Sequence, residues 1–358
     1  MKAIAATIQG LEEIAIQEIK EILKSKAQKI TNSRILFNVK SEKEIAKFIL
    51  NTRSSIKVYL LLDYTKFKTI KDIETMARKL NPKLKNNFAV RCSRIGQHKF
   101  TSKDIEILIG ETLYNKYKIK VNLENPTTTV YADIIEDYCF IGIDYTGELI
   151  SKRNYRIKLT PQSINPCLAY SLLRISGYKE KDTLLNLFSK SGEIAIESAL
   201  YILKKNHRQD FLFKRLFSYE EKEKTVKKKL KIYAIDPQHN HIRNIIINSK
   251  IASVYDFIKI LKIDLDWLDT KFKKNSVDKI ITSVPYPSKT MLENDIIHMY
   301  RELFSQTHYI LKKTGLFTIY TPKPEYIKNN ILKYKLLKEI KIKIGEQPSS
   351  ILVYKKTI

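Results

Sequence analysis

The sequence lacks an apolar run of the length that a membrane-spanning helix requires, which is about 18 residues. Its opening stretch, MKAIAATIQGLEEIAIQE, carries glutamates where a secretory signal peptide needs uninterrupted apolar residues. We therefore expect a cytoplasmic protein without a membrane partner.

Cysteine is scarce as well. Only Cys92, Cys139 and Cys167 occur, and they form no CxxC pair. An odd, widely spaced set argues against a disulfide framework and against a zinc site built on cysteine. The six histidines include no HExxH motif, so the sequence predicts a protein without a metal site.

Acidic residues are outnumbered. The chain has 38 Asp and Glu against 65 Lys and Arg, which gives a formal net charge of +27. Such a field favours a polyanionic partner, although a lysine-rich genomic composition would produce the same excess. Hydrophobic residues make up 43% of the 358-residue chain, which is enough to bury the cores of two or three globular domains.

Residues 1–65 alternate between strand and helix patterns. The strand-like segments are KAIAATI, RILFNVK and SIKVYLLLDY, and the helix-like segments are LEEIAIQEIKEILKS and SEKEIAKFILNTR. This order predicts a small α+β domain.

Residues 66–155 repeat the alternation. IKDIETMARKL and TSKDIEILIGETLYNKY have helical periodicity, NNFAVRCSRIG is a strand, and VYADIIEDYCFIGIDYTGE predicts two strands joined at Glu136-Asp137. Four cations, Arg91, Arg94, Lys99 and Lys103, bracket a strand-to-helix junction. A helix N-terminus beside such cations suits an RNA phosphate, while ordinary solvated surface has the same composition.

From residue 156 onward, strands alternate with helices as in a doubly wound, mostly parallel sheet, whose ligands bind at the carboxyl ends of the strands. The predicted strands are DTLLNLF, KIYAID, FIKILKID, VDKIITSV and TGLFTIYT, followed by a closing antiparallel pair, EIKIKIG and SSILVYKK. The charged stretch RLFSYEEKEKTVKKKLK predicts an exposed insertion or helix end.

Four successive strand ends carry residues that suit a nucleotide-like cofactor. A short loop, Ser189–Gly192, follows the first strand, and Asp236 after the second is placed to accept hydrogen bonds from both hydroxyls of a ribose. Asp264 after the third can accept from an adenine amine, and Pro285-Tyr286 after the fourth places an aromatic ring at the mouth of the cleft. Each feature is common as a cap or turn, but their order favours a cofactor cleft.

The chain resembles, over nearly its whole length, the THUMP-domain class I RNA methyltransferases that form N2-methylguanosine in tRNA or ribosomal RNA. FAVRCSRIGQHKFTSKDIEILIGETL is similar to the core of the RNA-binding THUMP domain, and INPCLAYSLLRISG to the passage into the catalytic domain. The resemblance implies an N-terminal ferredoxin-like domain (1–65), a THUMP domain (66–155) and a Rossmann-like methyltransferase domain (156–358). It also implies S-adenosyl-L-methionine as the cofactor and structured RNA, above all tRNA, as the partner.

The resemblance assigns roles to individual residues. Those expected at the cofactor are Asn165, Phe188, Lys190, Gly192, Asp236 and Asp264. Those expected at the reacting base are Ser283, Pro285 and Tyr286, and the cations around the strand-to-helix junction are expected to bind RNA.

The cofactor loop departs from the family pattern. LLNLFSKSGE stands where the family usually has Asp-Pro-Phe-Cys-Gly-Ser-Gly-Thr, so that Lys190 replaces a glycine. A left-handed backbone there would cost a lysine about 1–2 kcal/mol. Its charge would also repel the cofactor's sulfonium, unless the ammonium turns toward the methionine carboxylate.

The catalytic strand end departs too. ITSVPYPSK stands where the family has Asn-Pro-Pro-Tyr, so that Ser283 replaces the Asn and Val284 the first Pro. In the family, the Asn side chain and the following carbonyl accept both N–H bonds of the guanine amine, and the aromatic ring stacks on the flipped base. Losing one acceptor should cost about 1–3 kcal/mol, roughly 10–100-fold in rate.

Two hypotheses follow. The chain is either an active tRNA guanine-N2 methyltransferase with unusual motifs, or an inactive relative that binds RNA or serves as a scaffold. Two other THUMP-containing classes are excluded, because the sequence has neither the pyrophosphate loop and cysteine pair of a tRNA thiolating enzyme nor the zinc motif of a deaminase.

Overall fold

The computed structural model describes residues 1–206, 210–221, 228–287 and 292–357. These residues form two compact units. The first contains Met1–Ala6, Ala15–Ile150 and the described residues of 208–222, and the second contains Thr7–Ile14 and the described residues of 151–207 and 223–358. Part of the charged stretch predicted as an insertion, residues 222–227, lies outside the described residues.

No helix in the described part of the chain is long and apolar enough to cross a membrane.

The first unit is built on one eight-stranded sheet. Its strands are β1 (Lys2–Ala6), β2 (Ala27–Thr31), β3 (Arg34–Asn38), β4 (Lys57–Lys66), β5 (Asn87–Ile95), β6 (Lys120–Val121), β7 (Thr128–Ile135) and β8 (Tyr138–Asp144). They lie in the order β2-β3-β1-β4-β8-β7-β5-β6. The parallel pairs of this sheet are β5 with β7 and β5 with β6, and its other pairs are antiparallel. The predicted hairpin at Glu136-Asp137 is therefore confirmed as the turn between β7 and β8.

Four helices belong to this part of the chain: α1 (Glu12–Leu23), α2 (Glu42–Asn51), α3 (Ile70–Lys79) and α4 (Ser102–Tyr117). Capping boxes begin α3 and α4, where Thr69 with Asp72 and Thr101 with Asp104 satisfy backbone N–H groups of the first turn. Apolar residues of the helices and of the facing side of the sheet form a continuous buried core.

Buried ion pairs link strands that are distant in sequence. The guanidinium of Arg34 on β3 binds the carboxylate of Asp133 on β7 through two bonds of 2.5 and 2.7 Å, and the Tyr59 hydroxyl donates to the same carboxylate at 2.9 Å. Lys57 on β4 lies 2.5 Å from Asp144 on β8. Since a buried charge that loses its partner is costly, these pairs fix how the early and late strands of the sheet combine.

The second unit contains a seven-stranded sheet flanked by helices. Its strands are β9 (Thr183–Leu187), β10 (Lys231–Asp236), β11 (Ile258–Lys262), β12 (Val277–Ser283), β13 (Leu311–Thr321), β14 (Tyr334–Ile344) and β15 (Gln347–Lys356). Its helices are α5 (Pro166–Ile175), α6 (Glu193–Leu203), α7 (His239–Ile251), α8 (Leu268–Lys271), α9 (Glu293–Ile310) and α10 (Pro324–Asn330).

The strand order is β11-β10-β9-β12-β13-β15-β14, and the first five strands are mutually parallel. β15 pairs antiparallel with both β13 and β14. The predicted doubly wound class and its closing antiparallel pair are thus confirmed. β9 has β10 on one side and β12 on the other, so the strand order reverses at β9, where such sheets open a ligand crevice.

A short segment from early in the chain completes this unit. Gln9 forms an antiparallel bridge with Lys343 near the end of β14, and the Lys343 N–H donates to the Gln9 carbonyl at 3.1 Å. Gly10 follows with a φ of +93°, and a side chain there would collide with the backbone of Lys341. The close approach of two backbones therefore requires this glycine.

Candidate active site

Predicted site residues that follow three different strands meet at one edge of the second sheet. The loop from Phe188 to Gly192 follows β9, Asp236 ends β10, and Ser283 ends β12. Because these strands are parallel neighbours, their carboxyl ends form one continuous rim at the point where the strand order reverses.

The loop after β9 has an unusual backbone. Phe188 and Lys190 are in the left-handed region, with φ of 49° and 54°, and Gly192 follows with φ 88°. Backbone strain of this kind costs about 1–3 kcal/mol per residue and is concentrated at functional sites. Lys190 therefore adopts the left-handed backbone that a glycine takes up more readily.

Ser189 and Asp236 hold the loop in place. The Ser189 N–H donates to the Ile235 carbonyl at 3.1 Å, and its hydroxyl accepts from the Ile235 N–H at 3.0 Å. The Lys190 N–H donates to Oδ2 of Asp236 at 3.0 Å. β10 thus determines the conformation of the loop that follows β9.

Gly192 is required by packing as well as by backbone angle. It forms the N-cap of α6, and a Cβ at this position would lie 3.0 Å from Cγ2 of Ile245 on α7. Neither the angle nor the space suits a larger residue.

The carboxylate of Asp236 is largely occupied within the protein. Its Oδ1 accepts from the Gln238 N–H at 3.0 Å and lies 2.9 Å from Nδ1 of His241, while Oδ2 accepts from Lys190. Each carboxylate oxygen accepts about two hydrogen bonds, so the described contacts leave one position on Oδ2 for a ligand hydroxyl.

The other two predicted cofactor residues differ in exposure. Asp264 is exposed where a 3-10 helix (Leu265–Trp267) begins, and its side chain makes no capping bond. Its carboxylate is available to an adenine amine. Asn165 caps α5 instead, since its side-chain oxygen accepts from the Cys167 N–H at 2.8 Å.

The Lys190 side chain crosses the crevice between β9 and β12. Its ammonium is buried and donates to the backbone carbonyl of Ser283 at 2.9 Å. Burial lowers the pKa of Lys190 to about 8, against the opposing effect of the carboxylates of Asp236 and Glu193. The lysine therefore connects the cofactor loop to the catalytic strand end.

A second buried charge lies in the first turn of α6. Burial raises the pKa of Glu193 to about 7, and its Oε1 lies 3.6 Å from Nε of Arg156. Neither of these two atoms has a hydrogen-bond partner within the part of the chain that the structure describes. Sequence reasoning gave no role to either residue. The only signals were Arg156 in the passage before α5 and Glu193 where the family has Thr.

These residues fit S-adenosyl-L-methionine. Asp264 and the remaining position on Asp236 suit the adenosine half. The buried Oε1 of Glu193, which accepts no hydrogen bond within the described residues, suits an α-amino group, and the nearby guanidinium of Arg156 suits a carboxylate. The residues described by the structure contain no group of three or more His, Cys, Asp or Glu side chains that could hold a metal ion.

The catalytic strand end is largely buried. Ser283 and Val284 are 9% and 1% exposed, and Tyr286 is half-buried. The Pro285 carbonyl accepts from the Tyr300 hydroxyl at 2.6 Å, so a residue of α9 fixes the turn that presents Tyr286. Sequence reasoning missed Tyr300, which lies inside an ordinary helical pattern.

The four predicted RNA-binding cations in the first unit have different surroundings. Arg91 and Arg94 are three residues apart on a regular strand and leave β5 on opposite faces. Arg91 donates to the carbonyls of Leu123 and Val90, and Arg94 donates to the Gly96 carbonyl. Lys99 and Lys103 are exposed. The capping box at Thr101 satisfies the N–H groups of Thr101 and Asp104 at the start of α4.

Comparison with known families agrees with this architecture. Residues 153–346 match the RMKL-like methyltransferase domain, and residues 67–144 match the THUMP domain. The fold and the site define a methyltransferase domain joined to a THUMP domain. With more than half of its length matched, the chain belongs to the RMKL-like methyltransferase domain family.

Individual relatives cover most of the chain. It is 29% identical over 367 residues to the tRNA (guanine(6)-N2)-methyltransferase of Methanocaldococcus jannaschii, covering 94% of this chain and 95% of that protein. It is 27% identical over 306 residues to the protein of the same name from Archaeoglobus fulgidus, covering 83% and 76%. The crystal structure of SMU.472, assigned as a methyltransferase and complexed with SAH, shares the fold at a TM-score of 0.84 and 18% identity, covering 100% of this chain and 98% of that one.

Proposed function

We propose that this protein is an S-adenosyl-L-methionine-dependent methyltransferase that binds tRNA and methylates the exocyclic N2 of a guanosine, specifically guanosine 6. The observation that carries the proposal is the cleft at the ends of β9, β10 and β12, which has acceptors for an adenosine and partners for an amino acid. The target nucleotide is supported by the shared name of the two relatives.

Different residues of the cleft would bind different parts of the cofactor. Asp264 and Asp236 would hold the adenosine, while Glu193 and Arg156 would hold the amino-acid end. When bound, the sulfonium supplies the methyl group. At the end of β12, the Ser283 hydroxyl and the Val284 carbonyl would orient the guanosine amine, and Tyr286 would stack on the base.

The first unit would bind the tRNA. Its support is the match to the THUMP domain, the net charge of +27 and the exposed lysines near α4. The compartment, expected from the sequence to be the cytoplasm, stays a prediction.

Two measurements test the proposal. Calorimetric titration with S-adenosyl-L-methionine and S-adenosylhomocysteine should give saturable heat. An unmodified tRNA transcript with guanosine at position 6 should acquire N2-methylguanosine, detected by nucleoside mass spectrometry, whereas a transcript with adenosine there should not. No heat with either compound at millimolar concentration would favour the inactive alternative.

A further inference from the structure

One buried amine lies where methyl transfer would take place. The Nζ of Lys190 is 2.9 Å from the carbonyl of Ser283, the residue that replaces the family's amine-binding Asn. Lys190 is 6% exposed, and the side chain reaches this position from the opposite side of the crevice.

A charged Lys190 would oppose the reaction in two ways. An ammonium has three donors and no acceptor, so it cannot accept an N–H bond from the guanosine amine. It would also repel a sulfonium across a poorly hydrated cleft. A neutral amine reverses both effects, because it has one lone pair and no charge.

The end of β12 lacks a good proton acceptor. Ser283 brings a hydroxyl in place of an amide or carboxylate, and a backbone carbonyl such as that of Val284 can accept a hydrogen bond but is too weakly basic to take up a proton. A serine hydroxyl is a poor proton acceptor at neutral pH. The lone pair of a neutral Lys190 would supply what Ser283 lacks.

We propose that Lys190 acts as a neutral amine and accepts the proton that the guanosine exocyclic nitrogen releases during methyl transfer. This inference rests on the proposed function. Lys190 is then a catalytic residue at a position where the family usually has glycine.

The proton and electron balance is simple. A bond forms from the exocyclic nitrogen to the methyl carbon while the carbon–sulfur bond breaks, and both electrons of that bond stay on sulfur. The nitrogen then carries one excess proton. The proton passes to Nζ of Lys190, which gives N2-methylguanosine and a lysine ammonium, and solvent later removes it.

The charged neighbours determine the pH dependence. Asp236 from β10 and Glu193 from α6 face Lys190, Arg156 faces Glu193, and His241 from α7 faces Asp236. Burial outweighs the two carboxylates and lowers the pKa of Lys190 to about 8. The reactive neutral form therefore dominates above this pH, and the rate should rise between pH 7 and 9.

Single-turnover methylation of the tRNA transcript by the full chain tests this. The wild-type rate should rise with pH. Lys190→Met has similar length but no basic nitrogen, and Lys190→Arg stays charged, so both should be at least about 100-fold slower at pH 9 and independent of pH. Free ethylamine should partly rescue Lys190→Ala. A Lys190→Met rate equal to wild type would overturn the proposal, since the lysine would then be only an obstacle.

Glu193 is the alternative source of a pH effect, because its pKa of about 7 is close. Glu193→Gln should be slower but keep the rise, with its midpoint at lower pH, since Glu193 raises the pKa of Lys190. A rate that becomes independent of pH in this variant would assign the effect to Glu193 and overturn the proposal.

Cofactor affinity gives a readout without turnover. Raising the pH from 7 to 9 should improve the affinity for S-adenosyl-L-methionine relative to S-adenosylhomocysteine, which lacks the sulfonium charge, and Lys190→Met should abolish this change. A constant ratio in the wild type would contradict a titrating Lys190. Absence of methylation at any pH would overturn the proposed function as well, whereas methylation with a flat pH profile overturns only the role of Lys190.

Discussion

Arg153 and Glu197 form an ion pair in which neither side chain has any exposed surface. The guanidinium Nε lies 3.0 Å from Oε1 of Glu197, and the Tyr155 hydroxyl donates to the same oxygen at 3.0 Å. Glu197 lies on α6, whose N-terminus carries the cofactor loop. The pair therefore fixes the segment that leads into the second unit against the helix behind the site.

Removing one charge of this pair should destabilise the fold. Glu197→Gln removes the carboxylate charge that faces the buried Arg153 guanidinium, so the free energy of unfolding should fall by about 3–5 kcal/mol. Urea unfolding followed by circular dichroism measures it. Arg78→Ala is the control, since Arg78 pairs with Glu74 on the surface of α3 and its loss should cost less than about 1 kcal/mol. Equal losses in the two variants would contradict the role of burial.

Asp236 should contribute to cofactor affinity. Asp236→Asn preserves the volume but removes the charge and one acceptor oxygen, so affinity for S-adenosylhomocysteine should fall by about 1.5–3 kcal/mol, roughly 10–100-fold. Calorimetry measures the change. Asp278→Asn makes the same substitution at the opposite end of the sheet, where Asp278 binds the Thr183 N–H and Lys312, and should leave affinity unchanged. A loss of affinity in Asp278→Asn but not in Asp236→Asn would show that the cofactor binds at the opposite edge of the sheet.

Trp267 should report adenine binding. It is the chain's single tryptophan, is 60% exposed, and donates its backbone N–H to the Asp264 carbonyl at 3.1 Å. S-adenosylhomocysteine should therefore change its fluorescence, and Asp264→Ala should weaken the titration. Methionine alone, which lacks the adenine, should produce no change. An identical response in Asp264→Ala would remove Asp264 from the cofactor site.

The exposed lysines near α4 should account for part of the salt dependence of tRNA binding. Lys99→Ala with Lys103→Ala should weaken binding to all tRNA sequences alike and reduce the slope of log K against log salt by about 1–2. Fluorescence anisotropy over a salt series measures the slope. Lys335→Ala with Lys338→Ala, on exposed positions of β14, removes the same charge and is expected to change the slope less. Equal changes would mean that net charge alone decides binding.

The sequence allowed the second sheet to be predicted well because its central strands, β9, β10 and β12, are largely buried apolar segments that alternate with helices. The elements that the sequence did not predict are exposed or short. β2 (AQKIT) is partly exposed at a sheet edge, and β6 has only two residues that pair with the start of β5. α10 is short and opens with proline. Such elements depend on their neighbours more than on their own pattern.

The candidate site was predictable only in part, for the same reason. Asp236, Asp264 and Tyr286 follow directly from positions at strand ends. The position of the Lys190 ammonium could not be predicted in this way. Its contact with Ser283 joins residues 93 apart, which meet only when β9 and β12 become neighbours. The proximity of Arg156 to Glu193 likewise depends on how the segment before α5 packs, which no local pattern specifies.

The bridge between Gln9 and Lys343 has a consequence for how the protein is made. Gln9 leaves the ribosome long before Lys343 is translated, so the segment 7–14 can pair with β14 only when synthesis is nearly finished. No single cut separates the two units intact either. A fragment that begins at residue 151 lacks the segment 7–14, and a fragment that ends at residue 150 lacks the later residues that belong to the first unit. Assays of an isolated catalytic half would therefore test an incomplete fold.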